Sequence, residues 1–163
     1  MNWIGTTPLP SAFDEDETYT NSNNVFALLL GNAIPDHLVG TTDDNFYDHF
    51  SEIATIEANW GLSTLGRRDV GANVFSFVAE QTGDVVRELK QAPLLNESYP
   101  GVFNLNYTAA LPIPNTSLVV NGRRVLDSIV QTWGSSELQK CTVYDGSLEV
   151  PSARSPPVLP AGC

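Results

Sequence analysis

The stretch TTDDNFYDHFSEIATIEANWG, Thr41 to Gly61, constrains this chain more than any other. Phe46, Phe50, Ile53, Ala54 and Glu57 recur at helical spacing, with Ile56 and Trp60 beside them. Such a stripe must be covered, so the chain has to build a partner for it. Asp43 or Asp44 is the expected N-cap, because a short carboxylate accepts from the free amides of a first turn. Asp48 also sits where a negative charge favours the positive helix end. Gly61 supplies the stop.

The partner follows at once. RRDVGANVFSFVAEQTG predicts a second helix, capped by Asp69, faced by Val70, Val74, Phe77 and Val78, and ended by Gly83. The short linker GLSTLGRR makes the two helices packing neighbours. Upstream, Val25 to Leu30 is an apolar run that suits a buried strand or the core of a short helix; periodicity does not decide between them. Residues 1–12 read as an irregular, Pro-containing leader. Downstream, TSLVVNGRRVLDSIVQTW predicts a hairpin, since both Asn121 and Gly122 tolerate positive φ. Residues 151–163 form a Pro-rich, extended tail. The expected class is therefore α/β: two packed helices, a few strands and that tail.

Composition limits the function. With 163 residues, the chain can build one core of its own. Its net charge of −11, from 19 acids against 8 lysines and arginines, repels nucleic acid and anionic membranes. No run of about 18 apolar residues suggests a membrane span. The N-terminus has neither the basic region nor the apolar run of a secretory signal. Three N-x-[S/T] sequons, at Asn96, Asn106 and Asn115, nevertheless suit the surface loops of a secreted protein. Cys141 and Cys163 are either a bridge that ties down the tail or two thiols.

Four consecutive acids, Asp14 to Glu17, raise three readings. They are a solvated loop, part of a divalent-cation site, or a nucleophile. Hard cations take carboxylate oxygens, and a metal can orient a phosphate ester and stabilise its developing charge. Asp14-x-Asp16-x-Thr18 matches the D-x-D-x-T pattern of haloacid-dehalogenase-like phosphatases, whose first Asp attacks phosphorus. That chemistry wants a buried apolar strand just before the Asp, and PLPSA does not supply one. An EF-hand fails as well, with Tyr19 where Gly is needed and Val25 where Glu is needed. Arg67 and Arg68 could hold a phosphate, but in so acidic a chain they suit pairing with Asp69 and Glu57 better. Ser51 lacks the Gly-x-Ser-x-Gly context of a serine-hydrolase elbow.

Phe46-Tyr47-Asp48-His49, Ser51-Glu52-Ile53, Ile56 to Leu62, and Leu65-Gly66-Arg67 with Asp69 form a series of short motifs in fixed order. Together they resemble the C-terminal region of the phosphoesterase family that holds fungal secreted acid phosphatases and bacterial phospholipases C. FDEDETYTNSNNVFALLLGNAIP resembles the stretch that precedes them in the fungal branch, so the likeness covers roughly residues 13–150. It implies part of an alkaline-phosphatase-like α/β fold and metal-dependent hydrolysis of small phosphate esters outside the cell. Carried over residue by residue, it makes Asp14 and Glu15 ligands of a divalent metal at a strand end, and His49 a catalytic candidate. The family's first metal ligands and hydroxyl nucleophile have no counterpart here, and Pro8 and Pro10 stand where the family has an apolar strand. The expectation is a C-terminal portion joined to an unrelated leader, inactive by itself and prone to associate through exposed apolar helix faces. The alternatives are a non-catalytic acidic secreted protein and the dehalogenase-like phosphatase.

Overall fold

The computed structural model describes residues 9–13, 25–89, 112–148 and 161–163. Leu9–Ala12 (β1) and Ala27–Leu30 (β2) form a two-stranded antiparallel sheet, with Leu9 opposite Leu30 and Ala12 opposite Ala27. The leader is thus not irregular throughout. Pro10 is tolerated because a two-stranded sheet consists of edges only, where a missing amide costs no ladder bond to a third strand. The Val25 to Leu30 run becomes a strand, but not a buried one. Phe26, Leu28 and Leu30 stay exposed, and only Leu29 packs onto the main core.

His49–Trp60 forms helix α1. Its N-cap is Asp48, not Asp43 or Asp44. The Asp48 carboxylate accepts from the Ser51 amide at 3.1 Å, while the Ser51 hydroxyl accepts from the Asp48 amide at 3.2 Å. This reciprocal capping box satisfies two free amides at once. Gly61, at φ 61°, ends the helix in the left-handed conformation. The buried face is rotated from the expected stripe. Ser51, Ala54, Thr55, Glu57 and Ala58 are inward, while Ile53, Ile56 and Trp60 remain exposed, Trp60 at 48%.

The expected second helix is two short ones, Arg68–Gly71 (α2) and Ser76–Thr82 (α3). The break between them has a tertiary cause. The fully buried Asn73 turns its amide onto backbone, donating to the Phe46 and Arg87 carbonyls and accepting from the Arg87 amide, all at 2.9 Å. Three bonds to distant segments outweigh continuing the helix through this residue. Val70, Val74, Phe77 and Val78 are buried as expected, and Gly83 ends α3 at φ 77°. Asp69 lies inside α2 rather than capping a long helix. Ala54, Ala58, Ala72, Val74, Phe77, Val78 and Ala79 make the main core between α1 and α3. Burying each of the larger ones stabilises by about 1.5–3 kcal/mol.

The Asn121–Gly122 turn closes a small hairpin of Val119–Val120 (β3) and Arg123–Arg124 (β4). Both turn residues have positive φ, 45° and 77°. Two helices that the sequence reading missed follow, Asp127–Trp133 (α4) and Ser136–Gln139 (α5). Among the described residues, no helix is long and apolar enough to cross a membrane. Of the tail only residues 161–163 are described, and Cys163 is disulfide-bonded to Cys141.

Candidate functional site

Two places concern the candidate chemistry. The first is the end of β1. Phe13 continues the ladder, its amide donating to the Phe26 carbonyl at 3.4 Å. β1 itself ends at Ala12, and Phe13 is the last described residue before Asp14. Asp14, Glu15 and Asp16 themselves lie outside the described residues, as do Asn96 and Asn106. β1 is solvent-exposed at Ser11 and Ala12, unlike the buried strand that a dehalogenase-type nucleophile requires.

His49 joins this place from α1. Its Nε2 lies 3.2 Å from the Phe13 carbonyl oxygen. A carbonyl only accepts, so Nε2 is the protonated nitrogen, and in the neutral ring Nδ1 keeps a free lone pair. A ring N–H held by a carbonyl is how metal-ligating histidines are commonly oriented. Sequence distance hides this link, which joins residues 36 positions apart. The described residues contain no group of three or more His, Cys, Asp or Glu side chains able to hold a metal ion. By themselves they do not fit a divalent centre, and His49 offers one ligand at most.

The second place is buried. Asp69, only 2% exposed, accepts from the Leu65 amide at 2.8 Å and the Arg67 amide at 2.9 Å. Glu57, on α1, is 4% exposed, and its Oε2 has no hydrogen-bond partner. Burial first, then the charge of Asp69, push the Glu57 carboxyl up to about 8 against the pull of Arg123. Arg123 itself forks onto Asp84, which also accepts from Thr82 and Asn121. Burial alone would raise Asp84, but these hydrogen bonds hold its carboxyl below its ordinary value.

The expected pairing of Arg67 with acids is not what forms. Its guanidinium donates to the Pro112 carbonyl at 2.6 Å and lies over the Tyr144 ring, while Asp69 takes its backbone amide instead. Arg68 lies over the Phe50 ring. Sequence reasoning gave no site role to Arg123, Asp84, Asn73 or Arg87, and gave Glu57 only a place on the helical stripe and as a partner for Arg67 or Arg68. For Glu57 a signal was present, an acid on an otherwise apolar stripe.

Asp43 ties loop to helix. It accepts from the Tyr47 hydroxyl at 2.7 Å and the Ser76 hydroxyl at 2.5 Å. Burial alone would raise Asp43, but these bonds and those from Asn45 hold it below its ordinary value. Burial and donation to Asp43 push Tyr47 up to about 12. Asn115 is half-buried; its amide donates to the Tyr144 carbonyl at 2.8 Å, and its Oδ1 accepts from Ser117.

Comparison with known proteins places the chain. It is 50% identical over 122 residues to a probable acid phosphatase of Kluyveromyces lactis, covering 74% of this chain and 29% of that protein. It is 45% identical over 131 residues to an acid phosphatase of Aspergillus fumigatus, covering 77% and 29%. Over 106 residues it is 50% identical to a phosphate-repressible acid phosphatase of Penicillium chrysogenum, covering 64% and 26%. No family model matches. No solved structure matches either. The chain thus spans under a third of the length of these relatives. Identity of this order across most of its residues settles its kinship: the chain belongs to the fungal acid phosphatase-like family.

Proposed function

We propose that this chain serves the hydrolysis of phosphate monoesters by an acid phosphatase, with the reaction completed by groups beyond these 163 residues. The observation that carries the reading is 42–50% identity to four proteins named acid phosphatase. In it, Asp14 and Glu15 follow directly on β1 and Phe13, where they would hold a divalent metal that stabilises charge on the phosphoryl oxygens. His49, anchored on the Phe13 carbonyl, orients that strand end. An alkaline-phosphatase-like arrangement would make the remainder of that fold cover Ile53, Ile56 and Trp60, since a helix apolar on both sides is one covered on both sides. Work outside the cell is supported by the Cys141–Cys163 disulfide, which persists in oxidising surroundings, and by the sequons.

A chimera tests this. The stretch of the Kluyveromyces lactis protein that matches is replaced by that of this chain, and p-nitrophenyl phosphate hydrolysis is followed at acid pH. The folded chimera is expected to turn over, and Asp14→Asn within it to lower kcat at least about 100-fold, the scale for losing an electrostatic stabiliser. A folded but inert chimera, or one indifferent to Asp14→Asn, rejects the reading. Turnover by the isolated chain rejects its second half.

A further inference from the structure

Glu57 lies among groups that leave no place for its own negative charge. Facing it from α2 is Asp69, whose two oxygens both accept backbone amides. Facing it from β4 is Arg123, whose two Nη atoms are committed to Asp84. Arg123 Nε and Glu57 Oε2 are both buried without a hydrogen-bond partner, as is the hydroxyl of Thr64 in the α1–α2 loop. The charges felt by Glu57 are thus one acid, Asp69, and one cation, Arg123, which is already committed to Asp84. The other charged groups on the packed elements do not alter this count. Glu80, the one charged side chain of α3, and Arg124, the second cation of β4, are exposed; Arg68 of α2 lies over Phe50 and acts on Asp48; His49 and Glu52 stand a turn or more away on α1 itself.

An ionised Glu57 would be a buried charge without a cation of its own, next to a like charge. A protonated Glu57 is a neutral group whose burial costs far less. We propose that Glu57 is a buried proton-binding site, whose occupancy holds the packing of α1 against α2 and the hairpin and so fits the fold to acidic surroundings. Its carboxyl, pushed up to about 8 by burial and then by Asp69, is consistent with this geometry.

The linkage has a definite sign. The folded chain keeps this proton between the ordinary value of 4.5 and about 8, where the unfolded chain releases it. Stability from Glu57 is whole below that window and is lost as pH rises through it. One proton corresponds to at most about a tenfold rise in the unfolding constant per pH unit.

Urea unfolding of the whole chain at several pH values from about 5 to 8 tests the proposal in wild type and Glu57→Gln, which keeps the shape and stays neutral. The wild-type unfolding constant is expected to climb faster with pH than the variant's, by up to that tenfold per unit. In parallel, the side-chain carboxyl carbon of Glu57 is titrated by NMR in the wild-type chain, a readout that holds even if the variant fails to fold. A carbon that titrates well above the exposed glutamates supports the site. Parallel pH dependences of the two proteins, or a Glu57 that titrates with the exposed glutamates, overturn it.

Discussion

Arg123 and Asp84 meet in a two-pronged, buried ion pair that fastens the hairpin to the end of α3. Nη1 lies 3.0 Å from Oδ2 and Nη2 lies 2.6 Å from Oδ1, with side chains 9% and 3% exposed. Asn121 of the turn adds its amide to the same carboxylate and to the Thr82 carbonyl. A two-residue-stranded hairpin has little stability of its own. Its position is set by this anchor and by the backbone bonds between Thr64 and the residues at the end of β4.

Removing one partner strands the other. Arg123→Ala is expected to cost about 3–5 kcal/mol, because Asp84 is left buried and uncompensated. The double variant Arg123→Met with Asp84→Leu is expected to cost clearly less than the two single losses combined. Urea denaturation of wild type, Arg123→Met, Asp84→Leu and the double variant measures this, and additive losses would refute the coupling. The pH behaviour follows the opposite sign from Glu57. Asp84 is held below its ordinary 3.8, so the pair stabilises above that value and is lost as pH falls beneath it. Together the two linkages favour mildly acid conditions.

Asn115 looks like a glycan acceptor in sequence and behaves as a turn builder in the structure. Its side chain accepts from the Ser117 amide and hydroxyl and donates to the Tyr144 carbonyl, joining the segment before β3 to the region beyond α5. The Asn115 backbone N–H also donates to the Gly66 carbonyl. Asn115→Gln keeps the chemistry but lengthens the arm by one carbon. Produced in a host that adds no N-glycans, it is expected to lose about 1–2 kcal/mol of stability, the cost of breaking one or two partly buried hydrogen bonds. Unchanged stability in that host would show that the sequon, and not the turn, is why the residue matters.

The turns and helix stops were legible in the sequence, whereas the helix cap, the break between α2 and α3, and helices α4 and α5 were not. Gly61, Gly83 and the Asn121–Gly122 turn announce themselves because positive φ is a property of the residue alone. The choice among Asp43, Asp44 and Asp48 as cap is different. All three have the right chemistry, but Ser51 three residues on completes a box only for Asp48, while Asp43 is drawn to Ser76, 33 residues away. The same holds for α2 and α3. Their sequence has the periodicity of one helix, and only the contacts of Asn73 with Phe46 and Arg87 show why it breaks. Of the expected stripe on α1, Ala54 and Glu57 are buried but Ile53 is not, because the face packed on α3 is the one lined by small residues, Ala54 and Ala58. Of the candidate site, the likeness marked His49, but no local pattern joined it to Phe13.

Gly71 offers a test in which two physical effects predict opposite signs. It lies in α2, where Ala would be favoured over Gly by about 1 kcal/mol on helix propensity alone. Space argues the other way. A Cβ at this position would run into the carbonyl of Ser147, which is backbone and cannot swing aside. The Gly71 carbonyl also accepts from the Arg87 guanidinium, whose other Nη donates to Gly146, so the two segments are held close by the same side chain. Overpacking against backbone costs typically about 1–3 kcal/mol, so Gly71→Ala is expected to destabilise on balance. Gly61→Ala serves as the contrast. Nothing lies within 4 Å of its Cβ position, and its penalty comes from φ 61° alone, about 1 kcal/mol. Urea midpoints decide the matter: a Gly71→Ala chain as stable as wild type would mean that the 146–147 turn does not press on α2.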